Sequence, residues 1–238
     1  MEHPILFLSL ILDKLGLPAY GGNTVLAKLL APYMVYSYFT CLFLIIIGKW
    51  GTAKLELIPR GKQNFFEFIV EALRDFSRDN LPNEEVFRMT FPLIATFFLY
   101  ILTANLIGLI PGFMSPTANL NVTLGCTLIT IVYYHFLGFR FHGLGYLKSF
   151  MGPIIWIAPM MIPIEIFSHI GRILSLSFRL FGNLVSKEIL LGILVMLAGP
   201  FLAPLPVMVL GVLVCFIQAL VFIVLSLAYF AGAVEEHH

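Results

Sequence analysis

Charged side chains are scarce in this chain of 238 residues, since Asp, Glu, Lys and Arg together make up 11% of it. A soluble domain of similar size carries about a quarter charged residues. The hydrophobic share of 60% therefore excludes an ordinary soluble enzyme and favours a protein embedded in lipid. The net charge of +1 provides no basic surface for nucleic acid, which is not expected as a partner.

Cysteines are few, and familiar catalytic motifs are missing. The wide spacing of the three cysteines excludes a disulfide framework or a zinc site, so Cys41, Cys126 and Cys215 are predicted to be buried packing residues. There is no HExxH, CxxC or Walker-type loop, and no cofactor or metal is predicted. His135 and His142, expected at a helix end and in the following loop, offer no geometry for an intramembrane enzyme.

Long uncharged stretches are abundant, and they predict membrane-spanning helices. About 20 apolar residues cross a hydrocarbon core of ~30 Å, and a helix satisfies its backbone hydrogen bonds internally. Segments rich in proline and glycine divide the uncharged stretches into separate spans. We predict an all-α polytopic membrane protein, a single membrane domain over residues 1–238, with five spans near residues 26–48, 89–110, 118–139, 152–197 and 205–233.

The fourth span is too long for a perpendicular crossing. Pro163 and Pro200 bracket a proline-free stretch that would be about 54 Å long as one helix. Either this helix breaks at Gly171, Gly182 or Gly192, or it lies at a steep tilt. We favour the tilt, because charges along the span have to lie at intermediate depth, and we predict that the last two helices are both long and steeply tilted.

Basic residues are confined to loops on one side of the predicted bundle. The two loops on the other side of the bundle contain no Lys or Arg. By the positive-inside rule, the basic loops and the C-terminus are predicted to face the cytoplasm, with the N-terminus outside. The basic residues of these loops are Lys49, Lys54, Arg60, Lys62, Arg74, Arg78, Arg88, Arg140 and Lys148.

One predicted helix, over residues 64–80, does not span the membrane. Its apolar residues form one stripe and its charged residues face the other way. Such an amphipathic helix is expected to lie in the membrane interface or against a partner, or else to cover the cytoplasmic ends of the bundle. The apolar stripe consists of Phe65, Phe68, Ile69, Ala72, Leu73 and Phe76.

A polar stripe runs along the fourth span. Glu165, Arg172 and Arg179 recur every seven residues, so each lies about 20° around the helix from the one before. His169 and Asn183 fall on the same face. An Arg at the bilayer centre costs anything from ~2.5 to ~17 kcal/mol, so the stripe indicates a water-filled path or charged partners.

A purely structural role is the alternative for these charges. Glu165 and Arg172 could pair with each other and fix the register of the helices. Arg179 does not fit that role, because Glu188 lies about 13 Å away along the helix and the last span contains no acid. The acid that pairs with Arg179 is therefore predicted to lie on another chain.

Two polar side chains stand out in the last span. Gln218 interrupts an apolar stretch and is either part of an ion path or half of an interhelical hydrogen bond. Tyr229 is a further candidate for the path, with an interfacial aromatic anchor as the alternative.

Three segments resemble the a subunit of F-type rotary ATP synthases. "SLSFRLFGNLVSKEI" is similar to the family's central signature, an essential Arg followed by Leu-Phe-Gly-Asn. "PTANLNVTL" resembles the start of its third span, and "FIQALVFIVLSLAYFAGAVEEHH" resembles its closing helix and tail. The similarity runs in order and spacing from about residue 30 to the end, so it covers nearly the whole chain.

The resemblance implies a non-catalytic stator subunit in a bacterial plasma membrane. Its partners would be a rotating ring of c subunits with membrane-buried carboxylates, the peripheral-stalk b subunits, the rest of the complex and lipid. Two offset half-channels would carry ions, most simply protons, to the ring. Arg179 takes the position of the essential arginine and Glu165 that of the acid in the cytoplasmic half-channel. The other candidates are Asn183, Glu188 and Gln218 in the ion path, with His169, Arg172 and Tyr229 as further members.

This chain departs from the family pattern at three positions. Many relatives have Asp at the position of Asn119, some have His at the position of Gly211, and Pro is frequent at that of Ile173. The first two changes remove titratable groups from the outer half-channel that the resemblance implies.

A secondary ion antiporter is the competing hypothesis, because alternating access would use the same buried charges. Such transporters are built from internal repeats with broken helices in matched positions. The sequence shows no repeat, and five spans do not divide evenly, so the stator subunit is favoured.

Overall fold

The computed structural model describes residues 31–53, 61–110, 112–146, 158–198 and 204–234, and the secondary structure of this part of the chain is entirely helical. Five of its helices are long and apolar enough to cross a membrane, which confirms the all-α class and the five predicted spans. Short 3-10 turns lie at Pro116–Ala118 and Gly143–Gly145. The helices are α1 (Pro32–Gly51), α2 (Lys62–Asp79), α3 (Glu84–Ile107), α4 (Leu120–His142), α5 (Ala158–Ala198) and α6 (Pro204–Val234).

Local sequence explains where several helices begin and end. Pro32 lies in the first turn of α1, where a backbone N–H would have no helical partner in any case. The side-chain oxygen of Asn119 accepts a hydrogen bond from the backbone N–H of Asn121 at 3.0 Å and caps α4. Gly143 follows α4 with a φ of +55°, a conformation that glycine adopts without a steric penalty.

The bundle core joins α3, α4, α5 and α6. Ile94 and Phe97 of α3 pack with Phe222 and Ile223 of α6, and the rings of Phe97 and Phe222 meet edge to face at 5.5 Å. Since lipid is as apolar as these side chains, close van der Waals packing rather than removal from water holds such helices together. The core therefore places α5 and α6, which carry the candidate site residues, side by side.

Helix α1 lies at the edge of this bundle. Tyr36, near its beginning, is fully buried and packs against Phe113, whereas Leu42 and Ile45 are more than half exposed. Cys41 is also exposed, so the prediction that it is buried is wrong, because α1 is packed mainly near its beginning. Cys126 and Cys215 are buried, as predicted.

Helix α5 is continuous over 41 residues, so the alternative of a break at a glycine is wrong. Pro163 lies inside the helix rather than at its start. At 1.5 Å per residue the helix is about 62 Å long. A hydrocarbon core of ~30 Å can hold such a helix only at a tilt well above the average of ~20°. The 31 residues of α6 make about 46 Å, and both lengths support the predicted steep tilt.

The two halves of the amphipathic helix α2 correspond to its two predicted roles. Leu73 and Ser77 in its second half are buried, and Phe76 packs against the bundle core. In its first half, Phe65 and Phe68 are 63% and 70% exposed. The second half thus covers the bundle, while the first half leaves aromatic rings available for a membrane interface or a partner.

Ion pairs gather several helix termini at one end of the bundle. Arg78 of α2 contacts Glu84 of α3 at 3.0 Å, and Arg140 of α4 contacts Glu85 at 3.8 Å. We call this the basic end; it contains the start of α3 and the end of α4. The proline end is the opposite one and contains the turn at Pro116–Ala118.

Candidate functional site

One face of α5 anchors the helix in the bundle and leaves the other face open. Leu176, Leu180 and Leu184, spaced four residues apart, are at most 2% exposed and belong to the core. Arg179 and Asn183 lie between them in sequence and are exposed. Because the leucines recur every four residues and face the core, the polar residues between them lie on the outer side of an otherwise apolar bundle.

The guanidinium of Arg179 has no ion pair and no hydrogen bond with any residue that the structure describes. The apolar side chains around it, such as Phe178, are also exposed. A permanent charge on an apolar surface is costly unless water or an opposite charge accompanies it. The prediction that the acid pairing with Arg179 lies on another chain therefore stays open, and no contact within the described residues competes with it.

A hydrogen bond joins the two long helices one turn beyond Arg179. The side-chain amide of Asn183 donates to the carbonyl oxygen of Gln218 at 2.7 Å. Gln218 is 5% exposed, whereas Asn183 is exposed. The interhelical bond considered for Gln218 exists, and it fixes an exposed amide of α5 one turn from Arg179.

Toward the proline end, a lysine and an acid follow each other on α5. The ammonium of Lys187 lies 3.4 Å from the sulfur of Cys215 on α6, and the carboxylate of Glu188 lies beside the backbone of Ser115. A Cβ atom at Gly211 would lie 2.8 Å from Leu109 Cδ2 and 3.4 Å from Lys187 Cδ. The glycine thus leaves room for the side chain of Leu109, with the stem of Lys187 at ordinary van der Waals distance.

A buried set of polar side chains at the proline end was missed from the sequence. The hydroxyl of Thr117 donates to the side-chain oxygen of Asn105 at 2.6 Å and contacts the hydroxyl of Ser115 at 2.8 Å. All three residues are 0% exposed. Buried polar groups need hydrogen-bond partners, and most of the polar groups in this set find their partners within it or in the nearby backbone. The signal in the sequence was a run of small polar residues beside prolines, which is typical of any turn.

Near the basic end, Glu165 contacts a histidine rather than an arginine. Its Oε1 lies 3.7 Å from Nε2 of His169, one turn further along α5. Arg172 makes no ion pair with Glu165 among the described residues; its guanidinium lies over the rings of Tyr134 and Tyr229, at 5.6 and 5.7 Å from their centroids. The pairing of Glu165 with Arg172 considered from the sequence is therefore wrong, because aromatic faces of α4 and α6 hold the arginine.

A second histidine meets this group from α4. The rings of His135 and His169 lie 4.9 Å apart at 89°, and Nδ1 of His135 lies 2.9 Å from the hydroxyl of Tyr146. His135 sits within α4, and His142 is its last residue, so their predicted positions at a helix end and in a loop are each displaced into the helix. The seven-residue spacing of His135 and His142 is the one sign in the sequence that these two histidines lie on the same face of a helix.

The predicted site residues thus fall into two groups along α5. The basic-end group brings together Glu165, His169, Arg172 and Tyr229, and the central group brings together Asn183 and Gln218 beside Arg179. Glu188 lies further toward the proline end. The described residues contain no group of three or more His, Cys, Asp or Glu side chains that could hold a metal ion.

Comparisons with known proteins identify the family of this chain. The sequence profile of the family described as "ATP synthase A chain" matches residues 34–231. Over the full length of both chains, the protein is 55% identical to ATP synthase subunit a of Desulfotalea psychrophila and 49% identical to that of Syntrophobacter fumaroxidans. The subunit a of Desulfosudis oleivorans is 42% identical, again over both full lengths. With five apolar helices of spanning length and this extent of similarity, the chain is an integral membrane protein that belongs to the ATP synthase subunit a family.

Proposed function

We propose that this chain is the ion-translocating stator subunit of an F-type ATP synthase and has no catalytic site of its own. Its neighbours would be the ring of c subunits, the peripheral-stalk b subunits and the remainder of the complex. In a bacterial plasma membrane, the basic end would face the cytoplasm, together with the C-terminus, and the N-terminus would lie outside. The concentration of Arg and Lys at that end supports this orientation.

The observation that carries the proposal is Arg179, exposed on a 41-residue helix and without an ion pair among the residues that the structure describes. At ~4 Å and an effective dielectric constant of ~20, its attraction to a ring carboxylate would be about 4 kcal/mol. That attraction favours the ionised carboxylate, which gives up its proton when it passes the arginine. Guanidinium cannot release a proton of its own, so it also blocks direct flow between the two half-channels.

The polar residues on either side of Arg179 suit two separate routes. Glu165 would exchange protons with the ring on the cytoplasmic side, with His169 in contact with it. Asn183, Gln218 and Glu188 would line the route from the outside, where an interhelical hydrogen bond holds the two amides. We propose protons as the ion, since Glu165 is in contact with the imidazole of His169, a side chain that exchanges protons near neutral pH.

Arg172 and Tyr229 have a different role in this proposal. The guanidinium of Arg172 lies between the rings of Tyr134 and Tyr229, and a cation held on aromatic faces is stabilised without an acid. These contacts connect α4, α5 and α6 close to Glu165, so we assign both residues to positioning the cytoplasmic route.

Replacement of Arg179 by Lys tests the proposal, because lysine keeps the charge but can release its proton. We expect ATP-driven proton pumping by membranes that contain the whole complex to be lost, while stator and ring still co-purify. Arg140→Lys is the matched control, since Arg140 lies at the basic end in an exposed ion pair with Glu85. Fully coupled pumping in the Arg179→Lys complex would refute the proposed role of this chain.

A further inference from the structure

Four side chains form a continuous row at the basic end of the bundle. Glu165 is partly exposed on α5, and His169, which contacts it at 3.7 Å, is 9% exposed. The ring of His169 touches that of His135 on α4, and His135 reaches the hydroxyl of Tyr146 at 2.9 Å. Tyr146 is buried and lies beyond the last residue of α4, so the row leads from the open face of α5, through the helix interface, to the end of α4.

Glycine makes the end of this row possible. A Cβ atom at position 138 would collide with the ring of Tyr146, so Gly138 is the residue that lets the tyrosine fold back against α4. Burial raises the pKa of Tyr146, and the phenol therefore keeps its proton. A neutral hydroxyl can donate one hydrogen bond and accept another, which suits a partner of an imidazole nitrogen.

The other ionisable groups that face the row cannot replace the histidines. Arg172 keeps its proton at any relevant pH and lies against aromatic rings. Tyr134 and Tyr229 supply those rings. An imidazole carries a proton on one nitrogen and accepts one on the other, and it is the side chain whose protonation changes most readily near neutral pH.

From this geometry we infer that His135 and His169 are a proton-exchange pair that connects Glu165 with the cytoplasm through the interior of the chain. The inference rests on the proposed function and adds a route that the assignment of Glu165 alone does not contain. In the direction of ATP synthesis, the carboxyl of Glu165 gives a proton to Nε2 of His169, which releases its Nδ1 proton toward Nε2 of His135. His135 passes its Nδ1 proton to Tyr146, whose own hydroxyl proton goes to water. Both imidazoles and the phenol end neutral, each imidazole with its proton on the other nitrogen until the ring turns over. Glu165 ends as a carboxylate, which accepts the next proton from the ring of c subunits.

The test measures passive proton flow through membranes stripped of the catalytic head. His135→Gln and His169→Gln should each lower the flow about tenfold. This loss is smaller than the roughly 10²–10⁴ expected for a sole proton donor, because water can carry part of the current. His142→Gln is the matched control, since it makes the same change at the end of the same helix. Tyr146→Phe, which keeps the packed ring and removes only the hydroxyl, should lower the flow about threefold, because water would replace the hydroxyl in part.

Chemical rescue separates proton exchange from packing. We expect millimolar imidazole to restore flow in the His135→Ala and His169→Ala complexes and to leave the His142→Ala complex unchanged. Normal flow in the histidine variants, or a loss that imidazole does not restore in assembled complexes, would overturn the inference. If a histidine variant does not assemble, unchanged flow in Tyr146→Phe would overturn it as well.

The two proposals fail in different ways. If Arg179→Lys abolishes coupled pumping while the histidine variants conduct normally, only the internal route is wrong. If Arg179→Lys retains coupled pumping, the proposed function itself is wrong, whatever the histidine variants do.

Discussion

The two ends of the polar face on α5 differ in how many groups could hold a proton. Near the basic end, Glu165 is in contact with His169, and His135 follows within ring contact. Toward the proline end, Glu188 is the only carboxylate among the described residues, and its polar surroundings are amides, hydroxyls and Lys187. Several groups could thus share proton exchange on one side, whereas a single acid must serve on the other.

This difference suits the two positions that we propose for the half-channels. In that proposal the fixed positive charge of Arg179 separates the two ends, so neither would substitute for the other. Near the basic end, loss of one proton-exchanging group should be partly compensated by its neighbours. Toward the proline end, no such compensation is expected. The comparison therefore predicts unequal effects for chemically identical substitutions.

The largest effect is expected for Glu188→Gln. The change removes the only described carboxylate near the proline end, and a positioned proton donor or acceptor contributes 10²–10⁴ in rate. Passive proton flow through membranes stripped of the catalytic head should fall at least about 100-fold. Glu85→Gln, at an exposed ion pair of the basic end, is the control and should conduct normally. Flow above a tenth of normal in Glu188→Gln would show that another group serves the outer route.

A smaller effect is expected for Glu165→Gln, measured in the same way. His169 and His135 remain beside the new amide, so water and imidazole can still exchange protons there. We expect flow to fall about tenfold, less than a sole proton donor would cause. Adding His169→Gln to Glu165→Gln should bring the loss to that of Glu188→Gln. Equal losses in the two single glutamine variants would contradict the comparison between the two ends.

What the sequence predicted well lies within single helices. Glu165, Arg172 and Arg179 recur at seven-residue spacing, and helical geometry alone places such residues on one face. The five spans followed equally from the length of apolar stretches, since the backbone must satisfy its hydrogen bonds in lipid. The unusual length of α5 followed from the absence of proline between Pro163 and Pro200; its steep tilt stays a prediction that this length supports.

What the sequence missed are contacts between helices. Asn183 and Gln218 are 35 residues apart, and no spacing rule relates positions on α5 to positions on α6. His135 was expected at a helix end, and its contacts with His169 and Tyr146 were not foreseen because those residues belong to other elements. A pairing of Arg172 with Glu165 was considered from their charges and seven-residue spacing, although aromatic faces from two neighbouring helices were available to the arginine.

The bond between Asn183 and Gln218 should matter less than either acid. Interhelical hydrogen bonds in membranes are worth about 0.6 kcal/mol on average and at most about 1.7 kcal/mol, so Gln218→Leu should lower proton flow a few-fold. Asn183→Leu should have a similar effect. Because each single change already breaks the bond, the double variant should lose little more. Additive losses would mean that the two amides act independently in the route.

The smallest effect is expected for Gly211→Ala, which probes the packing between α6 and Leu109 beside Lys187. The new Cβ atom would lie 2.8 Å from Leu109 Cδ2, so the end of a flexible side chain has to shift, and 3.4 Å from Lys187 Cδ. Crowding of this kind costs about 1–3 kcal/mol, and the helix propensity of alanine offsets up to about 1 kcal/mol.

Gly125→Ala in α4 is the control, since nothing lies within 4 Å of the added atom. We expect a lower thermal stability of the complex for Gly211→Ala and none of that loss for Gly125→Ala. Because the atom that has to shift belongs to Leu109 and not to Glu188, proton flow should change much less than in Glu188→Gln. A loss of flow as large as that of Glu188→Gln would show that the outer route depends on the packing around Gly211.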